Sequence, residues 1–234
     1  ASTGTITLAA TGNGNSLAVA HSVTSKAGEI ILRGGDNVTF TAAGDVTSTT
    51  GNVTVTGNYL TGDTAGAITL DAGTTINAGS GTITLTAPDD ITLTGLSTTN
   101  ATTSAVSVTS TAGKIVDAGD TTTDIVANNA TARTTLSAAT GIGTAGAIDT
   151  QVANLVATNS GTAGNIQINE TDALVIRNAA QTNTGASAGN IDITAAGAVT
   201  VEAVGTGGAG VTIDGTTAST GTITLAATGN GNSL

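Results

Sequence analysis

Along this chain an aliphatic residue able to anchor a strand recurs every seven or eight positions. From Ile30 these residues run Val38, Val46, Val53, Leu60, Ile68, Ile76, Ile83 and Ile91. Many stand two places after a glycine and open an alternating stretch. Examples are Gly4-Thr5-Ile6-Thr7-Leu8, Gly51-Asn52-Val53-Thr54-Val55, Gly66-Ala67-Ile68-Thr69-Leu70 and Gly81-Thr82-Ile83-Thr84-Leu85. Alternation with period two marks a strand with one face inward and one outward. The glycine ahead of it supplies a corner where φ can be positive.

Three such spacings make about 24 residues, the length of a triangular coil with three short strands. Taking every third anchor from Ile6 gives Ile30, Val53, Ile76, Ala101, Ile125, Ile148, Leu174, Val199 and Ile223. A second track runs Val23, Val46, Ile68, Ile91, Ile115, Ile142, Ile166, Ile191 and Ile213. The third, Leu17, Val38, Leu60, Ile83 and Val106, loses its regularity after residue 110. The reading is an all-β parallel β-helix, a solenoid with three short strands per coil and about nine coils between Ile6 and Ile223. Coils stack through parallel backbone hydrogen bonds, about 4.8 Å apart. Asn165 and Asn190, one coil apart and each before an Ile, are placed to form a side-chain ladder. Tandem immunoglobulin-like sandwiches need turn signals every ~8–12 residues and a larger core.

The core that fits such a coil is thin. The chain has no Cys, Met or Trp, one Phe (Phe40), one Tyr (Tyr59) and one Pro (Pro88). Val, Ile, Leu and Ala must fill the interior, with Phe40 facing inward two residues after Val38. Regularly spaced Ile and Val separate the chain from disordered low-complexity sequence. Glycine does not fall at every third position, which excludes collagen.

Residues 1–17, ASTGTITLAATGNGNSL, recur letter for letter as residues 218–234. Residues 1–217 therefore read as one full tandem repeat of a continuous β-helix, and 218–234 as the start of the next. On the nine-coil count the second copy begins on the same face as the first, so a rod passes between copies without a linker. Each coil buries its apolar row only against its neighbours, so long arrays are robust and short fragments marginal.

The net charge is −11, with Lys26, Arg33, Lys114, Arg133 and Arg177 as the fixed cations. Nucleic acid needs clustered Lys and Arg, and an anionic membrane surface repels an acidic chain, so neither is an expected partner. No run of about 18 apolar residues is present to span a bilayer as a helix.

The G-x-I-T-L and G-N-I/V-x-V/I units resemble the central repeats of filamentous-haemagglutinin-type adhesins, large bacterial exoproteins. That resemblance covers nearly the whole chain. It implies a right-handed parallel β-helix, an extracellular or cell-surface location and work in adhesion or biofilm. Its partners would be neighbouring repeats, lateral or end-to-end copies in a fibre, and a glycan or host surface.

No catalytic constellation is apparent, and no catalytic, cofactor or metal residue is assigned. Outward T-x-T pairs come closest to a binding surface: Thr39/Thr41, Thr54/Thr56, Thr84/Thr86 and Thr92/Thr94. A flat face of such rows would suit ice or a glycan. On the tracks above, Thr39/Thr41 and Thr84/Thr86 share a face interrupted by Leu60-Thr61-Gly62, and the other pairs lie elsewhere. No face then carries an unbroken array, and the threonines read as exposed strand residues. The acids Asp89-Asp90, Asp117/Asp120/Asp124 and Glu170/Asp172 read as solvated turn residues, with occasional Ca²⁺ bridging between corner carboxylates as the other option. Gly207-Gly208-Ala209-Gly210 lacks the Asp of a calcium-binding repeat. His21, the single histidine, rules out a multi-His metal site within one copy and reads as a corner residue. Thr11-Gly12-Asn13-Gly14-Asn15 is a loop without a phosphate-binding G-K-[ST]. Tyr59 is expected to face out, as an ordinary surface residue or a lone sugar-stacking ring.

Overall fold

The computed structural model describes residues 3–60, 65–161, 164–182, 189–202, 210–213, 221–229, 231 and 233–234. Among them every regular element is a short strand and there is no helix. The strands pair in parallel and line up in three sheets of ten, five and nine strands. The first sheet takes the strands opening at Ile6, Ile30, Val53, Ile83 and Val106, then Arg133–Ala138, Asn154–Asn159, Leu174–Gln181 and Val199–Val201, with Val211–Ile213 also paired to Leu174–Gln181. The second takes those at Leu17, Val38, Ile68, Ile91 and Ile115. The third takes those at Val23, Val46, Ile76, Leu96, Ile125, Ile148, Ile166, Ile191 and Ile223. The chain thus winds as a three-sided parallel β-helix of about 24 residues per turn.

The number of turns is about eight, not nine. Strand register gives the reason. On the first sheet, Ile6, Ile30, Val53, Ile83 and Val106 stack in order, so the step from Val53 to Ile83 spans 30 residues. The surplus begins at Gly57, where the chain leaves the sheet. Asn58 takes a left-handed φ of 49° there, a conformation Asn tolerates. Leu60, expected as an anchor, lies outside any strand, and Thr61 and Gly62 lie outside the described residues. The surplus is one strand spacing long, so the seven-to-eight rhythm continues through it while every column slips by one face. Ile76 therefore stacks on Val46 rather than Val53, and Ile68 on Val38 rather than Val46. Ala101 sits in an exposed corner instead of a strand. Beyond the slip, the expected column Ile68, Ile91, Ile115, Ile142, Ile166, Ile191 is found intact.

The interior divides into two halves. From Ile30 to Val108 it is an apolar column system in which the only buried polar side chains are the small hydroxyls of Ser48, Thr74, Thr94 and Thr98 among the described residues, with Phe40 facing inward as expected. From Asp124 to Gln181 polar groups enter it: Thr134, Thr150, Asn159, Glu170 and Gln181 are all buried. This is why the anchor tracks fade after residue 110. The polar groups are largely paired with one another. Asn159 Nδ2 donates to Gln181 Oε1 at 2.7 Å across adjacent coils, and the Thr150 hydroxyl donates to Glu170 at 2.8 Å.

One corner explains the G-x-I/V motif by a different route from positive φ. Gly28, Gly51 and Gly81 stack in successive coils and do not have left-handed backbones. A Cβ on Gly51 would lie 2.1 Å from the Gly28 carbonyl oxygen, and one on Gly81 would lie 2.2 Å from that of Gly51. The glycines permit backbone to stack on backbone. Buried Ser25 and Ser48 brace the same corner: each hydroxyl oxygen accepts the N–H of the glycine three residues on, at 2.9 and 2.8 Å.

The repeated segment does not return to its starting face. Ile6–Ala10 edges the first sheet against Ile30–Gly34, whereas the same five residues at Ile223–Ala227 edge the third sheet against Ile191–Ala195. Leu17 pairs with Val38 in the second sheet. Its counterpart Leu234 follows Ser233, whose carbonyl accepts the Val199 N–H at 3.1 Å, on the first sheet. The offset of 217 residues therefore corresponds to eight turns and two of three faces. The expectation of a common face is corrected by the longer coils. The repeat boundary at 217, and residues 218–220, 230 and 232, lie outside the described residues.

Candidate functional site

The slip that displaces the core columns also regroups the threonines. Thr54/Thr56 stack directly on Thr84/Thr86, these on Ser107/Thr109, and these on Thr135/Ser137. All eight side chains face outward and are half-buried. The first sheet therefore carries two hydroxyl columns four coils deep, contrary to the sequence reading that no face holds an unbroken array. Spacings are about 4.8 Å between coils and about 6.6 Å between columns. Ile31 and Arg33 close the field at one end; at the other, Val156 ends one column, while Thr158 extends the second by a fifth hydroxyl before Ala180 ends it. The other expected pairs fall apart. Thr39 stacks with Thr69 and Thr92 in a single column on the second sheet. Thr94 is buried and donates its hydroxyl to the Thr74 carbonyl at 2.6 Å.

Many corner acids and amides join coils instead of being merely solvated. Asn37, Asp45, Asn52, Asp90, Asp124, Asn165 and Asn190 each stand immediately before a strand. Each side-chain oxygen accepts a backbone N–H from the coil above: Ala67, Thr75, Thr82, Lys114, Asp149, Asn190 and Thr222 donate in turn, at 2.8–3.0 Å. The ladder expected between Asn165 and Asn190 exists in this form, with backbone N–H groups as its donors. Asp89 acts similarly, accepting the Gly66 N–H at 2.9 Å.

Asp117, Asp120 and Asp124 lie within electrostatic range of one another and of Asp149, without converging on one point. Burial pushes Asp124 up to about 8, reinforced by the charges of Asp117, Asp149 and Asp120 and opposed by the hydrogen bond from the Asp149 N–H. Burial also raises Asp117, with Asp120 and Asp149 adding to the effect. Glu170 and Asp172 separate. Glu170 points into the core between Thr150 and Ala195, accepting from the Thr150 hydroxyl and the Val152 and Asp172 N–H groups. Burial raises it to about 7 despite those bonds. Asp172 instead accepts from Gln151 Nε2 at 3.3 Å. Among the described residues no three His or acidic side chains converge to hold a metal ion.

The remaining candidates are quickly placed. His21 is an exposed corner residue. One face of the Tyr59 ring is taken by the Arg33 guanidinium, 5.7 Å from the centroid, which leaves less of it for a sugar. Gly12 to Asn15 form a turn closed by Asn15 N–H to Gly12 C=O at 3.0 Å. Gly207, Gly208 and Ala209 lie outside the described residues. Sequence reasoning missed a shallow cleft of about 200 Å³ lined by Thr103, Ala130, Thr131, Arg133, Asn154 and Arg177. Arg177 donates to Asn154 Oδ1 at 2.8 Å and pairs with Glu202. These residues lie 23 to 25 positions apart, and only the coil register brings them together.

No protein-family model, curated protein or solved structure matches this chain.

Proposed function

We propose that the chain is a non-enzymatic structural segment: a stiff stalk within a long extracellular or cell-surface fibre. The observation that carries this reading is the unbroken core. Apolar columns, glycine corners and Asx oxygens all serve to stack one coil on the next. The two carboxylates with the highest pKa, Asp124 and Glu170, are almost wholly buried rather than displayed. A rod built this way sets distance, and the number of copies sets its length. Small-angle scattering from chains of one, two and three 217-residue units tests it. Length should rise by about 42 Å per unit at constant cross-section. A rising cross-section would contradict the stalk. Protease shaving of intact source cells tests the location: the chain should be cut without lysis.

The hydroxyl field favours a second reading, a flat surface for ice or a glycan. Its regular spacing would match a periodic ligand better than a single sugar. Ice-recrystallisation assays and co-sedimentation with insoluble polysaccharides test it, using Thr84→Lys with Thr86→Lys. Activity in the native chain that the substitutions abolish supports this reading; inactivity of the native chain removes it.

A further inference from the structure

The shallow cleft of about 200 Å³ gathers two of the chain's five fixed cations, Arg133 and Arg177, although the net charge is −11. None of the residues lining it is acidic. The fold brings the two arginines there by different means. Arg133 opens the strand Arg133–Ala138 and stacks on Asn154 in the next coil, which stacks in turn on Val175. Arg177 is the extra residue of a β-bulge, opposite no residue of Asn154–Asn159. Bulges re-aim side chains. This one lets Arg177 reach back a coil, where its Nε donates to Asn154 Oδ1 at 2.8 Å.

Asn154 is a fixed strut between them. It is 4% exposed, and its Nδ2 donates to the Ala130 and Ala132 carbonyls at 3.0 and 2.8 Å. Its donors are therefore spent. The Thr131 hydroxyl is committed as well, donating to the Ala101 carbonyl at 2.5 Å. The donors left over are the rest of the Arg177 guanidinium, the Thr103 hydroxyl at the rim, and the whole of Arg133. The Arg133 guanidinium is half-buried and has no hydrogen-bond or ion-pair partner among the described residues. Other cations are provided for: Lys114 has Asp90, and Arg33 lies over the Tyr59 ring. Glu202 balances Arg177, but its side chain is half exposed, and such pairs hold weakly. One positive charge in the cleft remains unbalanced.

We propose that this cleft is a binding site for a carboxylate, with Arg133 as its main ligand-holding residue and Arg177 as the second. A carboxylate is planar and offers two oxygens to a guanidinium fork. Its single charge equals the one left unbalanced, whereas a phosphate brings close to two. The volume is below the ~300–1,000 Å³ of sites for drug-sized molecules, so the cleft takes a small acid or the acid group of a larger one. A sugar acid is one source of that group and a free small acid the other. Arg133 stands two residues before Thr135, so the cleft borders the hydroxyl columns, where a sugar ring would meet hydroxyls. The inference rests on neither reading above. A stalk needs no ligand, and the hydroxyl field is tested at Thr84 and Thr86, outside the cleft.

Nuclear magnetic resonance of the arginine Nε–H groups in the whole chain tests it. The probes are sodium acetate, sodium glucuronate and sodium sulfate, each titrated against sodium chloride at equal ionic strength. The Arg133 and Arg177 signals should shift and saturate with both carboxylates, and the Arg33 signal should not. Tighter binding of glucuronate than of acetate would support the site with a sugar acid as the source. Equal binding would support it with a free small acid. Arg133→Gln should weaken carboxylate binding about tenfold or more, the loss of a charge-assisted pair. Glu202→Gln should tighten it by freeing Arg177. Glu202 is exposed enough that this variant keeps the test decisive should Arg133→Gln fail to fold. Shifts that grow without saturating, alike at all three arginines, would reduce the effect to salt screening and overturn the site. Sulfate bound more tightly than either carboxylate would overturn the ligand class. An affinity unchanged in Glu202→Gln would overturn the part given to Arg177.

Discussion

At the scale of the residue, the corner position before each strand does more than turn the chain. An Asn or Asp there offers its oxygen to a backbone N–H one coil away, a group that would otherwise rely on water. Asn52 accepts the Thr82 N–H at 2.9 Å, and both are solvent-accessible. Asn52→Ala should therefore cost only about 0.5–1.5 kcal/mol, measured by chemical denaturation. Asp124 differs because it is fully buried. Its proton is held in the fold up to about pH 8 but released near 3.8 in the unfolded chain. Between those values the folded state binds more protons, so stability falls as pH rises from about 4 to about 8. Glu170 adds to the fall between about 4.5 and about 7. Asp124→Asn keeps an acceptor for the Asp149 N–H and removes the charge. It should flatten the pH profile and raise Tm at pH 8 by at least about 2 °C. An unchanged profile in circular-dichroism melts would contradict this assignment.

At the scale of the element, strands were legible and faces were not. Alternation after Gly51, Gly66 and Gly81 marks three real strands, at Val53, Ile68 and Ile83. Spacing alone does not reveal that Leu60 is skipped, because the surplus from Gly57 is as long as one strand spacing. The error is confined to a slip of one face, yet it scatters Thr54/Thr56 and Thr84/Thr86, which stack in register. The hydroxyl field was therefore hidden by a single miscount. Beyond residue 110 the legibility fails for another reason: Thr134, Thr150 and Glu170 occupy inward positions where an apolar anchor is expected. The glycine corner has two causes: Gly66 and Gly164 take positive φ, 149° and 108°, as the motif suggests, whereas Gly51 and Gly81 do not. It is the approach of the neighbouring coil's carbonyl that excludes a Cβ at Gly81. Gly81→Ala should then destabilise by about 1–3 kcal/mol or more, by forcing stacked backbones apart. Stability equal to the native chain's would show that the corner can relax.

At the scale of the whole molecule, the repeat and the coil do not divide evenly. The 217-residue offset covers eight turns and two faces, so identical sequence meets different sheets at Ile6 and Ile223. On the proposed reading, a tandem array would remain one continuous β-helix, and anything displayed by a single copy, including the hydroxyl field, would reappear one face round on the next. Such a rod would present the same surface on three sides over three copies. The central claim is that coils stack without interruption across the joint. Cryo-electron microscopy of a tandem array of 217-residue units tests it most directly. An unbroken three-sided rod, with coils about 4.8 Å apart and each unit advanced by about 42 Å and turned by one face, is the predicted result. Separate globular beads joined by linkers would contradict it.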